Sequence, residues 1–332
     1  MTGPLRVVSL GGGTGLSALL NGLKIYTRPS AGNPHIDVTA IVTVTDDGGS
    51  SGRLRREFDV LPPGDIRNCM VALSEDEALL SQLFQYRFKA GAGLKGHSFG
   101  NLFLTALTDI TGDFAEAVRK SAEVLKIAGR IYPSTAANVV LEAVLVDGSI
   151  VKGETRISRS TQLIQTIRLR PERVRPLRGA IEAIHAADLI TLGPGSLFTS
   201  VIPNLLVSGV AKAIRESPAL KACFVNLMTQ PGETTDFSAS DHLIAIREHA
   251  GDRMVDCAVV STSRISPALR RRYALMNAAP IRNDCDLIRK MGVDVVEAGL
   301  VLRGPKVRHD PAAVARVAID LARRGRRRRE RI

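Results

Sequence analysis

The sequence predicts an α/β protein: a doubly wound, mostly parallel sheet with a helical insert and an antiparallel hairpin region. Three observations lead there. Near the amino terminus, short apolar runs pass into polar glycine loops, the way strands enter phosphate-facing turns. From Leu189 onward, strand-like and helix-like segments alternate in the rhythm of βαβ units. Between these halves, Asp147-Gly148 joins two extended runs, and Asp-Gly supplies the positive φ angles of a tight hairpin turn.

Leu5-Arg6-Val7-Val8-Ser9-Leu10 reads as a buried strand ending in Gly11-Gly12-Gly13, after which Leu16, Leu19, Leu20 and Leu23 fall at helical spacing. His35 to Val44, rich in Ile, Val and Thr, is a second strand, and it runs into the polar glycine loop 45–52. Between Gly64 and Leu125 the apolar period is helical throughout, with no evident strand. The hairpin pairs Val139 to Val146 with Ser149 to Ile157, and Leu163 to Leu169 is a candidate third antiparallel strand. Arg168 to Arg178, containing Pro171 and Pro176, reads as a surface loop or edge. Strands follow at Leu189 to Leu192, Cys223 to Leu227, Val255 to Ser261 and Val293 to Leu302. Helices are expected over 203–216, 240–249 and 266–275, with a closing helix from Pro311 to Arg324. The expected layout is one domain at 1–322, with the helical insert at about 64–130 and the hairpin region at about 139–170, and a basic disordered tail at 323–332.

With 332 residues, 45% hydrophobic and 23% charged, the chain has the composition of a packed globular protein, which excludes disorder as its main state. Cys69, Cys223, Cys257 and Cys285 form no C-x-x-C pair, so zinc-ribbon, iron–sulfur and thioredoxin-type chemistry are disfavoured and reduced, buried thiols are expected. The first apolar run breaks into glycines after Leu10, too early for a signal peptide, and no stretch has the length of a membrane span. A cytoplasmic location is therefore expected. The formal charge of +12 is concentrated at 152–178 and 323–332. Four Tyr, nine Phe and no Trp leave little for base stacking, which argues against a nucleic-acid partner.

Three glycine clusters follow expected strands: Gly11-Gly12-Gly13-Thr14-Gly15, Gly48-Gly49-Ser50-Ser51-Gly52 and Gly193-Pro194-Gly195-Ser196. In a parallel sheet these loops share one edge, where backbone N–H groups and helix starts make a phosphate or diphosphate cradle. The first lacks the Gly-Lys-Ser/Thr of a Walker A loop and the third glycine of a dinucleotide fingerprint, so an NAD-binding reading is weak. Asp46 and Asp47 close the second strand, and Asp65 follows in Gly64-Asp65-Ile66-Arg67-Asn68. Adjacent carboxylates point apart, so one of Asp46 and Asp47 is the candidate for a divalent cation, a ribose hydroxyl or a polar substrate group. His97, in Gly96-His97-Ser98-Phe99-Gly100-Asn101, is a candidate hydrogen-bond donor to phosphate, or an acid. Asn226, Thr229 and Gln230 lie in a polar loop after a buried strand, suited to reading a base or sugar. No spacing supports a nucleophilic triad or dyad, and no catalytic residue is assigned.

Six ordered motifs carry a resemblance. They are the first and second glycine loops, the latter extended from Thr43 to Arg55, then Pro62 to Cys69, His97 to Leu102, Gly193 to Ser200 with Pro203-Asn204-Leu205-Leu206, and Thr229 to Thr234. Together, over about Leu5 to Gly304, they resemble the bacterial gluconeogenesis factor family, the YvcK-like proteins, a branch of the Rossmann-like CofD superfamily. The resemblance implies a cytoplasmic regulator of cell-wall precursor metabolism and cell shape that binds UDP-sugars such as UDP-N-acetylglucosamine and is needed on gluconeogenic carbon sources. It also implies a cell-wall enzyme or a kinase as partner, and leaves a homodimer open. The better-defined CofD members are 2-phospho-L-lactate transferases using a guanosine diphospho donor with Mg²⁺, which makes a Mg²⁺-dependent transferase the alternative. By resemblance Gly12, Gly13 and Thr14 lie in the phosphate loop, Asp46 faces the ligand, and Gly195, Ser196 and Asn204 lie near the diphosphate or sugar. With Gly11, Gly15, Gly48, Gly49, Ser50, Ser51 and Gly193 in the cradle, the remaining expected contacts are Asp47, Arg53, Asp65, Asn68, His97, Asn101, Ser200, Asn226, Thr229 and Gln230. The transferase branch carries an Asn-Thr-Gly-Asp-Asp type segment where this chain has Thr43-Val44-Thr45-Asp46-Asp47, so its acceptor site is not carried over.

Overall fold

The structure is a computed structural model that describes residues 3–30, 32–75 and 79–331; the other positions within the expected domain and tail lie outside the described residues. Ten strands are present: β1 (Leu5–Gly11), β2 (Ile36–Val42), β3 (Arg130–Pro133), β4 (Val140–Leu145), β5 (Ile150–Lys152), β6 (Ile164–Arg170), β7 (Leu189–Leu192), β8 (Leu220–Phe224), β9 (Cys257–Ser261) and β10 (Asp294–Ala298). Seven of them form one sheet in the order β10-β9-β8-β7-β1-β2-β3, and every pairing in it is parallel. Its central strands are buried on both faces, which is why β1, β7 and β8 do not alternate and are mostly apolar, with Arg6 and Lys221 as the charged interruptions in β1 and β8. The chain winds outward from β1 through β2 to β3, then restarts at β7 and winds the other way. The reversal puts a topological switch point between β1 and β7, where the loops leaving the two strands diverge and open a crevice.

The hairpin region forms a separate antiparallel sheet in the order β5-β4-β6, as expected. Its second arm is shorter than the sequence suggests. After Lys152 the chain turns into a one-turn helix, Glu154–Ile157, because Asp47 accepts the Thr155 N–H at 2.8 Å and its hydroxyl at 2.6 Å. The helical insert contains the helices Gly64–Leu73, Leu79–Gln85, Phe99–Thr111 and Phe114–Val124. Two further elements escape the sequence reading. β3 has only four residues and ends the sheet at Pro133, and the second glycine loop passes straight into a helix, Gly49–Phe58, with no side-chain cap to announce it. The helix expected over 203–216 is broken into Ile202–Leu206 and Val210–Glu216, and a π-helical turn, Leu197–Val201, precedes it.

The expected disordered tail is corrected by the closing helix, which runs Pro311–Arg329. Small residues on one face, ending in Ala318, Ala322 and Gly325, let it press against the sheet. Its arginines then meet carboxylates at the amino ends of the strands. Arg326 pairs with Asp188 just before β7, Arg328 reaches Asp256 before β9 at 3.2 Å, and Arg324 reaches Asp294 in β10 at 3.3 Å. Asp188 is 3% exposed and also accepts the Arg6 N–H at 2.8 Å, so the Arg326 pair is a buried interaction rather than a surface one. Among the described residues no single helix is long and apolar enough to cross a membrane. The four cysteines are free, and burial pushes the Cys223 and Cys257 thiols up to about 12.

Candidate functional site

A cleft of about 820 Å³ opens at the switch point. Two helix starts face it. The helix Gly13–Lys24 follows β1 with Gly12 as an N-cap that has no side-chain hydrogen bond, and the π-helical turn Leu197–Val201 follows β7 with Ser196 in the same condition. Carboxylates from other segments take part of each start, Asp65 accepting the Gly13 N–H and Glu233 facing the Phe198 and Thr199 N–H groups, and the remaining loop N–H donors and partial positive charge are left for an anion. The two loops touch so closely that side chains are excluded. A Cβ at Gly15 would lie 2.6 Å from the Pro194 carbonyl oxygen, and one at Gly12 would lie 2.4 Å from Asp65 Oδ2. Asn204 braces the pair from below, donating from Nδ2 to the Gly11 and Ser200 carbonyls at 3.2 and 2.7 Å.

Of the residues expected at the ligand, Gly12, Gly13, Thr14, Gly15, Asn68, Gly195, Ser196, Ser200, Asn226 and Gln230 line this cleft. Gln230 Nε2 donates to Ser196 Oγ at 2.7 Å and Asn226 Nδ2 donates to Gln230 Oε1 at 3.1 Å. This chain of amides leads outward from the third glycine loop. Gly11 and Gly193 belong to the backbone beneath the cleft, where the Gly193 N–H donates to the Leu10 carbonyl at 2.9 Å. Thr229 is turned to the neighbouring segment, accepting the Ala279 N–H on Oγ1 at 2.9 Å.

The second glycine loop does not line the cleft. It follows β2, one strand away from the switch point, and its helix packs against the helix Phe99–Thr111. Gly48 and Gly49 start that helix, Ser50 Oγ lies 3.0 Å from His97 Nδ1, Asn101 Nδ2 donates to Ser51 Oγ at 3.3 Å, and Arg53 donates to the Lys95 carbonyl at 2.8 Å. His97 is 3% exposed, and burial with the nearby Arg53 guanidinium lowers its pKa. Asp46 and Asp47 diverge as expected. Asp47 holds the turn at Thr155, whereas Asp46 accepts the Gly48 N–H at 2.8 Å and lies beside Asp65 and Arg67.

Directly behind Gly12 lies a group of mutually repelling carboxylates. Burial, then Asp46, pushes Asp65 up to about 7, although the Gly13 N–H donates to it. Burial and the carboxylates of Asp65, Asp46, Glu233 and Asp47 push Glu154 up to about 9. Oε2 of Glu154 and of Glu233 are buried without a hydrogen-bond partner. Desolvation and like charge both favour the protonated forms here.

The cleft itself has the opposite character. Among the described residues its lining carries Lys24, Arg67, Arg87 and Arg308 and no carboxylate. Arg67 is held by Ser98 Oγ at 2.7 Å and Asn68 Oδ1 at 2.5 Å. His309 also lines the cleft, and burial lowers its pKa to about 4, so its ring is neutral near pH 7. Sequence reasoning missed these cations. A signal existed for one of them: Thr14, Ser17, Asn21 and Lys24 recur at helical spacing, opposite the buried face Leu16, Leu19, Leu20 and Leu23. Arg87 and Arg308 come from segments distant in sequence and carry no local signal.

Residues 7–301 match the profile of the 2-phospho-L-lactate transferase CofD family. The gluconeogenesis factor of Halalkalibacterium halodurans is 46% identical over 316 residues, covering 95% of this chain and 96% of the relative. The gluconeogenesis factor of Bacillus subtilis is 44% identical over 317 residues, covering 95% and 98%. A crystal structure of a Bacillus halodurans protein matches with a TM-score of 0.91 at 46% identity, over 96% of this chain and 99% of that one. By profile, sequence and structure alike, the chain belongs to the CofD family, among the relatives named gluconeogenesis factors.

Proposed function

We propose that the protein is a cytoplasmic regulator that binds a nucleoside-diphosphate sugar of the UDP-N-acetylglucosamine type, supports growth on gluconeogenic carbon sources, and acts on cell-wall precursor supply and cell shape by binding rather than by turnover. One observation carries the reading: a cleft at the switch point that two helix starts face and that, among the described residues, is lined by Lys24, Arg67, Arg87 and Arg308 and by no carboxylate. A diphosphate satisfies all of these, because its oxygens accept from the loop N–H groups and its charge is neutralised by Lys24 and the arginines. The amide chain from Ser196 through Gln230 to Asn226 then offers the donors and acceptors that a base or sugar needs.

A second reading, Mg²⁺-dependent transfer from a nucleoside diphospho donor, is favoured by the carboxylates behind Gly12. Among the described residues no group of three or more His, Cys, Asp or Glu is placed to hold a metal unaided. Mg²⁺ commonly takes one or two carboxylates and completes its shell with waters and ligand phosphates. Asp46 and Asp65 fit that role, since their mutual repulsion is what a cation would relieve. Asp47, engaged with Thr155, fits it less well. When bound, the ion would offset diphosphate charge.

The test is a thermal-shift and calorimetric comparison of UDP-N-acetylglucosamine, UDP-glucose, GTP, GDP and NAD, each with and without Mg²⁺, on the wild type and on Asp46→Ala. Stabilisation by UDP-sugars supports the regulator. Stabilisation by guanosine nucleotides only with Mg²⁺, lost in Asp46→Ala, moves the assignment to the transferase. Silence toward every uridine nucleotide refutes the first reading.

A further inference from the structure

Beside the main cleft, at the carboxyl end of β9, lies a smaller hollow of about 250 Å³ that shares Asn226 and Leu227 with it. Among the described residues the hollow is lined by Arg264 and Arg270 and by no carboxylate. Neither arginine makes an ion pair or a side-chain hydrogen bond among the described residues. Carboxylates on either side in sequence are engaged elsewhere: Asp256 pairs with Arg328 at 3.2 Å. Asp284 accepts from the Ser240 N–H at 2.9 Å and the Ser240 hydroxyl at 2.5 Å, and Asp286 pairs with Arg289 at 3.0 Å. The surrounding segment 264–308 holds ten basic and four acidic residues.

Two guanidinium groups lining one hollow present planar donor forks, an arrangement suited to carboxylate or phosphate oxygens. Asn283 steadies the hollow by donating to the Ser261 carbonyl at 2.8 Å, and Ser263 Oγ accepts the Val301 N–H at 3.1 Å. The amide chain that starts at Ser196 ends at Asn226, which with Leu227 is common to both cavities. A ligand with its diphosphate at Gly12 to Gly15 and Ser196 is thereby led toward the two arginines.

We propose that this hollow is an anion subsite that takes a carboxylate or phosphate group lying beyond the diphosphate. The group is carried either on the sugar of the same ligand or by a separate small acid bound alongside it. The inference rests on the nucleotide reading above only for the contents of the main cleft.

UDP-glucose and UDP-glucuronate differ only by a hydroxymethyl against a carboxylate, so calorimetry with the two isolates the subsite. On the wild type, UDP-glucuronate binds about tenfold tighter or better, as one charge-assisted pair contributes. In the double variant Arg264→Gln, Arg270→Gln the preference falls to about one while UDP-glucose affinity is kept. A second arm titrates glucuronate and inorganic phosphate into protein saturated with UDP-glucose. Binding there that requires the two arginines supports a separate acid as the source. Equal affinity for the two sugars with no anion binding in the second arm overturns the proposal, as does a preference that survives the double variant. If no uridine nucleotide binds, the nucleotide reading fails by itself, and the subsite is read from inorganic phosphate alone. A phosphate-induced rise in melting temperature that the double variant abolishes then supports the subsite, and no rise overturns it.

Discussion

Replacing Gly15 with alanine tests whether the first and third glycine loops form one cradle. A Cβ there would lie 2.6 Å from the Pro194 oxygen, 2.7 Å from its carbonyl carbon and 2.9 Å from the Gly195 nitrogen. Contacts of this kind relax at about 3.5 Å, so the loops must separate by roughly 1 Å. Backbone on both sides is tied down by the Gly193 to Leu10 and Asn204 to Gly11 hydrogen bonds, which makes the shift an overpacking problem of about 1–3 kcal/mol. Helix propensity works the other way, since Gly15 lies inside Gly13–Lys24 and alanine there would add up to about 1 kcal/mol of stability. The sign of the change is therefore diagnostic. Gly15→Ala is expected to melt a few degrees lower than wild type and to bind UDP-N-acetylglucosamine at least about a hundredfold more weakly, through loss of two N–H bonds to charged oxygens. Melting curves and titration calorimetry check this, with Gly3→Ala, which meets nothing within 4 Å, as the control. A variant that is more stable than wild type and binds equally well would refute the convergence of the two loops.

The remaining predictions concern charge and thiols. Because Arg329 also lies 3.7 Å from Asp188, the double variant Arg326→Met, Arg329→Met should lower stability by about 3–5 kcal/mol in denaturant titration by leaving that 3% exposed carboxylate without a cation; no loss would restore the view of the carboxyl terminus as an unstructured tail. Asp65 carries a folded pKa of about 7 against an ordinary 3.8, so its ionised form opposes folding above pH 7, and stability is regained as pH falls from 7 toward 4. Asp65→Asn, which can still accept from the Gly13 N–H, should be more stable than wild type at pH 8 by up to about 4 kcal/mol and should lack that slope; parallel stability–pH curves would contradict the assignment. Under native conditions a thiol reagent should spare Cys69, Cys223 and Cys257, which are buried, and modify at most Cys285. Rapid labelling of more than one thiol would show that the core around β8 and β9 opens readily.

Local pattern was enough for the class of fold. Glycine loops after β1 and β7, the strand–helix rhythm after Leu189 and the Asp147-Gly148 turn are short-range signals. Their meaning does not depend on what packs against them. The same locality explains which site residues were legible. Gly12 to Gly15, Gly195 and Ser196 announce themselves because backbone contact with an anion demands small residues in sequence clusters. Strand order was not legible, because it turns on the pairing of β1 with β7, in which Val7 meets Leu189, more than a hundred residues away. Strand order puts β1 next to β7 and β2 one place further out, and so separates the second glycine loop from the cleft although its composition matches the first. Tertiary structure likewise brought Arg87 and Arg308 into the cleft and set Asp65 behind Gly12. Finally, the Arg-rich carboxyl terminus reads as solvated by composition, yet it is a packed helix because Asp188, Asp256 and Asp294 wait at the amino ends of three parallel strands. A charge run has no partner until the fold places one beside it.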